Sequence, residues 1–209
     1  DTFETLDSAG IPYIGAGDSR ERARKLQIEE IAGMKIGFLA ASRVIPVTSW
    51  DVRNQTPGVF TTYDPTDLLA DIKKAKKKCD YVFVIVHWGI EHTTELVDYE
   101  RPMAHQFIDA GADAVIGAHP HVVQGIECYN GKMIYYSLGN FIFSQSIERT
   151  FAVSMKVEPD GITHKLIPAA ASNAKTSLLT EEAAKNVYSY MDGLSDTVTV
   201  TDKGKVNAK

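Results

Sequence analysis

Cysteine is scarce in this sequence, and its scarcity argues against two kinds of small protein. The cysteines among the 209 residues are Cys79 and Cys128, and they form no CxxC pair. Neither a disulfide framework nor a cysteine-ligated zinc site is therefore indicated. Long apolar runs are missing as well, because the longest, residues 81–86, falls far short of the roughly 20 residues that a membrane-spanning helix needs. The sequence predicts no membrane span.

An excess of positive charge is also missing. Lysine and arginine total 22 against 27 for aspartate and glutamate, which gives a net charge of −5. Positive charge is concentrated only at residues 73–78, which are read as the solvated end of a helix. A nucleic-acid partner is therefore disfavoured. Apolar residues at 44% and charged residues at 23% are typical of a soluble globular domain.

The central part of the sequence alternates between apolar strands and amphipathic helices. Strands are predicted at residues 34–41, 81–86 and 113–117, and helices at residues 64–78 and 101–110. Strands that alternate with helices favour a parallel sheet, so the predicted fold class is α/β.

The pattern changes to hairpins further along the chain. Asn130-Gly131 and Pro159-Asp160-Gly161 are turn signals, and each lies between two apolar runs. We therefore predict one domain over residues 1–194, and a polar tail over residues 195–209.

Three of the six histidines stand where predicted strands end. His87 follows one strand, and His119 and His121 follow another. Ligands bind outside the carboxyl ends of such strands, and residues i and i+2 of a strand share a face. Because neutral imidazole suits zinc, iron or manganese, the three histidines are candidate metal ligands. Taken singly, each is more commonly a structural residue.

Two other polar residues, Glu91 and Asn140, each have more than one interpretation. Glu91 lies four residues after His87 and could be a metal ligand, a hydrogen-bond partner of a ligand, a general base or a solvated acid. Asn140 could orient a ligand, although a turn role is favoured, while Phe141 and Phe143 are predicted in the core.

Residues 42–64 are predicted to be an irregular loop, and loops of this length are commonly functional or mobile. Arg43 and Arg53 lie in this loop. Their guanidinium groups could hold an anionic substrate by forked hydrogen bonds, and surface solvation is the alternative.

Three segments, taken together, resemble a known family. They are His87-Trp88-Gly89-x-Glu91, the run from Asp109 through Gly117-Ala118-His119-Pro120-His121 to Gly125, and Tyr136-Ser137-Leu138-Gly139-Asn140-Phe141-Ile142-Phe143. In this order they are similar to the bacterial CapA family of poly-γ-glutamate capsule biosynthesis proteins. The resemblance extends over about residues 1–168.

The resemblance implies a fold and a metal site. The CapA family is similar to the calcineurin-like metallophosphoesterases, which have a four-layer αββα sandwich and two metal ions. By this resemblance His87, His119 and His121 would bind a divalent metal such as manganese, iron or zinc, with two ions in the full-length protein as one possibility. The metal would activate water as the nucleophile, with Glu91 and His87 as the catalytic residues beside it.

The resemblance also implies that something is absent. The Gly-Asp, Asn-Leu-Glu and Asn-Asn-His elements that supply the acidic ligands in this family are not found in the sequence. The expectation is therefore a sandwich incomplete at its N-terminus, with weak or no metal-dependent activity from this chain alone.

Two classes of function stay open. The first is a metal-dependent hydrolase whose substrate is an anionic polymer or a phosphoester, with Asn140, Arg43 and Arg53 as candidate substrate-binding residues. A single-metal amide hydrolase is a variant of it. The second is a non-catalytic component of a polymer synthesis or export complex, in contact with other membrane subunits. Either would act at the extracellular face of the bacterial cell envelope, anchored by a segment outside this chain.

Overall fold

The structure is a computed structural model that describes residues 1–52 and 56–209, with only the backbone of Glu148. The chain divides into two compact units. The first comprises residues 1–88 and 101–115, and the second comprises residues 89–100 and 116–209.

The first unit is a mixture of helices and strands. Its elements are α1 (Thr2–Ser8), β1 (Ala16–Gly17), α2 (Arg20–Ala23), β2 (Gln27–Ile31), β3 (Met34–Ser42), a 3-10 helix (Thr48–Trp50), β4 (Gly58–Val59), α3 (Thr66–Lys76), β5 (Tyr81–His87), α4 (Glu100–Asp109) and the start of β6 (Ala114–Ala118). The strand order in this unit is β2-β3-β5-β6, and β1 pairs separately with β4.

Strands β3 and β5 form the parallel pair that the sequence predicts. Their register runs from Ile36 opposite Tyr81 to Ser42 opposite His87. Four successive side chains of β5, residues 81–84, are buried, so both faces of this strand are covered. Such burial explains why β5 reads as a continuous apolar run rather than an alternating one.

Helix α3 covers this part of the sheet. It packs against β3 and β5 and buries Leu68, Ile72 and Ala75, which recur at helical spacing. The Thr66 N–H donates to Asp64 Oδ1 over 2.9 Å, so an acidic side chain satisfies a main-chain donor at the start of the helix. No helix within residues 1–52 and 56–209 has the length and apolar character needed to cross a bilayer.

The second unit consists mainly of antiparallel strands. Its elements are the end of β6, β7 (Ile126–Tyr129), β8 (Lys132–Tyr135), β9 (Ile147–Glu158), β10 (Gly161–Ser172), β11 (Lys175–Leu178), α5 (Glu181–Gly193), β12 (Val198–Val200) and β13 (Lys205–Ala208). One sheet segment has the order β6-β8-β7, and a second sheet has the order β11-β10-β13-β12, with β9 paired to β10.

Both predicted hairpins are confirmed. Strands β7 and β8 are joined by Asn130 and Gly131, whose φ values of 49° and 73° are both positive, as a tight primed turn requires. Strands β9 and β10 pair from Glu158 opposite Gly161 as far as Ile147 opposite Ala171.

Helix α5 closes the core of the second unit. Thr180 caps it by accepting the Ala183 N–H, and the helix packs against β10 and β12. The buried cluster beneath it includes Val123, Ile126, Met133, Tyr135, Phe151, Leu166, Val187, Met191, Val198 and Val206.

The prediction of a polar tail over residues 195–209 is wrong. Strands β12 and β13 lie there, and β13 pairs with β10. The valines at positions 198, 200 and 206 are buried, whereas polar residues between them face outward. This period of two is short and is divided by a turn at residues 201–204, so it does not stand out in a polar sequence.

Candidate metal centre

The candidate ligands of the second unit lie on two loops. Residues 89–99, between β5 and α4, carry Glu91. Residues 119–125, between β6 and β7, carry His119 and His121. Both loops begin where a strand ends, as expected for a ligand site in an α/β fold.

His119 and His121 do not lie on a strand. Strand β6 ends at Ala118, and the two histidines have φ values of 107° and 62°. The predicted basis for their convergence, a shared strand face, is therefore wrong. A sharp bend through Pro120 brings the rings together instead, with centroids 6.1 Å apart and planes at 52°.

The side chains of Glu91, His119 and His121 form a compact group of donor atoms. One donor atom from each lies within 4.8 Å of those of the other two. Nε2 of His121 is 3.9 Å from Oε1 of Glu91. Two imidazoles and one carboxylate match the ligands that zinc, iron and manganese take in proteins.

Asn140 contacts the far side of the His121 ring. Its Oδ1 atom is 2.8 Å from His121 Nδ1. When Nδ1 carries the proton it donates to this oxygen, and Nε2 keeps a lone pair on the side of Glu91. Histidines that bind metals are commonly fixed by a hydrogen bond of this kind.

His119 is partly withdrawn from solvent. Burial lowers its pKa below the ordinary value of 6.5; the Glu91 carboxylate opposes this shift, and His121 adds to it. A lowered pKa favours the neutral imidazole near pH 7, and only the neutral form can bind a metal ion.

The backbone around the group is strained. His92, like His119 and His121, has a positive φ, here 62°. Residues with a Cβ atom rarely adopt a positive φ, and such backbone strain is concentrated at functional sites.

Comparison with known sequences identifies the family. Residues 1–145 match the family model described as the bacterial capsule synthesis protein PGA_cap. The chain belongs to this family. The resemblance found from the sequence motifs is therefore confirmed.

Two relatives of this PGA_cap chain come from bacilli. It is 38% identical over 151 residues to the PGA biosynthesis protein CapA of Bacillus subtilis (strain 168), covering 72% of this chain and 39% of the relative. It is 34% identical over 154 residues to the capsule biosynthesis protein CapA of Bacillus anthracis, covering 72% and 37%. The chain thus spans about two fifths of the length of these curated relatives.

Solved structures place the PGA_cap chain in a fold class. A crystal structure of a Staphylococcus aureus protein, described as a candidate 5′-nucleotidase in complex with α-ketoglutarate, matches with a TM-score of 0.52 and 14% identity. The match covers 91% of this chain and 39% of the other. At this identity the likeness shows the fold alone, and it confirms the predicted α/β fold of metallophosphoesterase type.

The predicted ligand His87 belongs to the first unit of the PGA_cap chain. It is the last residue of β5, opposite Ser42 of β3, and its side chain is exposed. Its carbonyl oxygen accepts the Arg43 N–H over 2.7 Å. Its role as a ligand stays a prediction.

The structure describes one of the two arginines that are predicted to bind an anion. The Arg43 guanidinium lies over the Tyr63 ring, 4.4 Å from the centroid, a contact that holds the side chain at the end of β3. Arg53 lies outside the described residues. Substrate binding by either residue, or by Asn140, stays a prediction.

His92 is a residue near the site that sequence reasoning missed. Its ring lies 5.9 Å from that of His121, and Nε2 lies 4.0 Å from Oε2 of Glu91. The feature of the sequence that could have indicated His92 is its position directly after Glu91.

Phe143 borders the same group, 6.0 Å from His121 between ring centroids. Phe141 and Phe143 are 60% and 39% exposed, so their predicted place in the core is wrong. They lie on the loop between β8 and β9, where their carbonyl oxygens accept hydrogen bonds from the Thr176 hydroxyl and the Ala174 N–H.

Proposed function

We propose that this PGA_cap chain binds a divalent metal ion through His119, His121 and Glu91, and that it acts as a metal-dependent hydrolase in capsule synthesis. The observation that carries the proposal is the approach of three donor atoms to within 4.8 Å on two loops. Zinc, manganese and iron are the candidate ions, since imidazole and carboxylate together suit all three.

The chain's own residues have distinct parts in this proposal. His121 would bind through Nε2, since Asn140 contacts its Nδ1 atom. His119, whose pKa is lowered by burial, would bind without first losing a proton near pH 7. When bound, a divalent ion of this kind polarises a phosphoryl or carbonyl oxygen and activates water.

Glu91 has two possible roles that an experiment separates. Its carboxylate is 56% exposed and 3.9 Å from His121, a position suited to a third ligand or to an acceptor of a proton from the attacking water. As a ligand, its replacement by glutamine weakens metal binding. As a proton acceptor, the same replacement preserves the metal and abolishes turnover.

The proposed setting follows from the family. The relatives are named for capsule or PGA biosynthesis, so the proposed substrate is an anionic polymer or a phosphoester precursor of one. The proposed location is the outer face of the bacterial envelope, in contact with other capsule-synthesis subunits and with an anchor outside this chain. His87 is proposed as a further ligand or catalytic group of the complete site.

The test is a titration of the metal-free chain with Zn²⁺ and with Mn²⁺ by calorimetry. We expect saturable binding by the wild type and a loss of at least about 100-fold in affinity in His119→Ala, since a ligand is removed. His105→Ala, which removes a histidine from α4, is the matched control and should bind as the wild type does.

Turnover assays then separate the classes of function. Hydrolysis of a phosphodiester that depends on His119 supports the phosphoesterase, and hydrolysis of γ-glutamyl peptides alone supports an amide hydrolase. A wild-type chain that binds neither ion, or binds equally with and without His119, would overturn the metal site and leave the non-catalytic component of a synthesis complex.

A further inference from the structure

A buried side-chain amide, that of Gln124, contacts the loop that carries Glu91. Gln124 is 0% exposed, and its Nε2 atom lies 3.2 Å from the Thr93 carbonyl oxygen and 3.3 Å from that of Glu95. These two carbonyls belong to residues two and four positions after Glu91. One side chain therefore fixes the segment that directly follows the candidate ligand.

The chemistry of this contact is specific to glutamine. A primary amide has two N–H protons on one nitrogen, and Gln124 directs that nitrogen to two acceptors. An ionised glutamate has no proton to donate, and an aliphatic side chain would leave both carbonyls without a partner. Asparagine keeps the donors but is one methylene shorter.

The backbone of Gln124 is itself fixed. Its N–H donates to the Ser137 carbonyl oxygen over 3.1 Å. The Ser137 hydroxyl donates to the Val122 carbonyl oxygen over 2.7 Å. The amide is thus anchored to the chain segment that also carries His119 and His121.

A hydrogen bond between main-chain atoms also joins the two segments. The His92 N–H donates to the Pro120 carbonyl oxygen over 2.8 Å. This bond fixes the loop on one side of Glu91, close to the ligand, and Gln124 fixes it further along. With both in place, the backbone of residues 92–95 has little freedom to carry Glu91 away from the histidines.

We propose that Gln124 is a positioning residue that holds Glu91 at metal-binding distance from His119 and His121. This inference rests on the proposed metal site. The inference has two parts: Gln124 restrains residues 89–99, which does not depend on metal, and this restraint positions Glu91 for metal binding. Each part has its own measurement.

The first measurement is hydrogen–deuterium exchange of the metal-free chain. In Gln124→Met, which keeps the side-chain length and removes the donors, amides of residues 89–99 should exchange at least about tenfold faster than in the wild type. The matched control is Ser195→Ala. Ser195 is also buried, and its hydroxyl accepts the Ile126 N–H and donates to the Met191 carbonyl oxygen, away from this loop.

The second measurement is binding of Co²⁺, followed by its visible absorption, which reports the arrangement of ligands. Gln124→Met should bind Co²⁺ about 10- to 100-fold more weakly, with an altered spectrum, as is typical when residues that orient ligands are replaced. Ser195→Ala should keep the wild-type spectrum and an affinity within about twofold, even if it is less stable. Gln124→Asn is used in both measurements if the methionine variant does not fold.

The outcomes distinguish the two proposals. Unchanged exchange of residues 89–99 would overturn the inference, whatever the metal result. Faster exchange with unchanged Co²⁺ affinity and spectrum would overturn the positioning role while the metal site stands. If exchange is faster in the variant but the wild type binds no Co²⁺, the proposed function is overturned, and the positioning role with it. Gln124 is then a restraint on the loop only.

Discussion

Asn140 Oδ1 lies 2.8 Å from His121 Nδ1, on the opposite side of the ring from the nitrogen that faces Glu91. The two residues are 19 positions apart, and they come from the loops after β8 and after β6. Because an amide oxygen can only accept, the contact favours the tautomer of His121 that carries its proton on Nδ1 and leaves the lone pair on Nε2.

Replacing Asn140 tests this relationship. Asn140→Leu removes the acceptor and should weaken Zn²⁺ binding about 10- to 100-fold, since the His121 ring is no longer fixed in one tautomer. Asn140→Asp keeps an acceptor at the same place and should retain affinity within a few-fold. Calorimetric titration of both variants provides the comparison. Equal affinities for the leucine and aspartate variants would contradict an orienting role for Asn140.

A substitution at Gly89 tests how closely the loop that carries Glu91 is packed at this position. Its φ is +92°, and an added Cβ would lie 3.0 Å from Pro120 Cγ and 3.1 Å from Glu100 Oε1. Gly89→Ala should therefore lower the free energy of unfolding by about 1–3 kcal/mol, as measured with urea. Gly161→Ala is the control, because no atom lies within 4 Å of its added Cβ, and its effect should stay within about 0.5 kcal/mol. Similar losses in the two variants would contradict the close packing at Gly89.

The strands were predictable where one physical cause dominates. The parallel strand β5 is buried on both faces, so its sequence is apolar throughout and its bounds differ from the prediction by one residue. The turn at Asn130-Gly131 was predictable because few residues tolerate positive φ at two successive positions. Strands β12 and β13 were missed because partners distant in the sequence, above all β10, determine them.

The candidate site was predictable in its residue types but not in its construction. Histidines at strand ends indicated imidazole ligands, and the structure brings His119 and His121 together with Glu91. The bend that does so depends on positive φ at both histidines, which a sequence does not reveal because most residues with a side chain avoid it. The nearness of His92 depends on the same kind of local bend.

The first unit contains a buried carboxylate whose removal should be costly. Asp113 is 3% exposed, and its Oδ2 accepts the Val82 N–H over 2.9 Å and Lys76 Nζ over 2.7 Å. Asp113→Ala leaves the buried N–H without its partner and should cost about 1–3 kcal/mol in urea unfolding. Asp113→Asn keeps an acceptor and should cost less.

An exposed ion pair provides the control for Asp113. Lys156 Nζ lies 2.8 Å from Glu158 Oε1, and the two side chains are 71% and 45% exposed. Solvent screening makes such pairs weak, so Glu158→Ala should change the free energy of unfolding by less than about 1 kcal/mol. If Asp113→Ala were no more destabilising than Glu158→Ala, burial would not be what makes the Asp113 contacts important.

His164 should make the stability of the chain depend on pH. It is 5% exposed on β10, and burial lowers its pKa to about 4 from the ordinary value of 6.5. Its Nδ1 atom is 2.9 Å from the Tyr135 hydroxyl, and burial raises the pKa of Tyr135, so the phenol stays protonated and donates to Nδ1 when the neutral imidazole carries its proton on Nε2.

The sign of the effect follows from proton binding by His164. Between pH 6.5 and about pH 4 the unfolded chain takes up a proton that the folded chain does not, so the free energy of unfolding decreases as the pH falls through this range. The contribution is fully present above pH 6.5, and its total loss is on the order of 3 kcal/mol. In His164→Gln this loss should be absent, so the difference between wild type and variant in urea unfolding should change with pH. A difference that stays constant from pH 7 to pH 4 would show that the imidazole can be protonated within the fold.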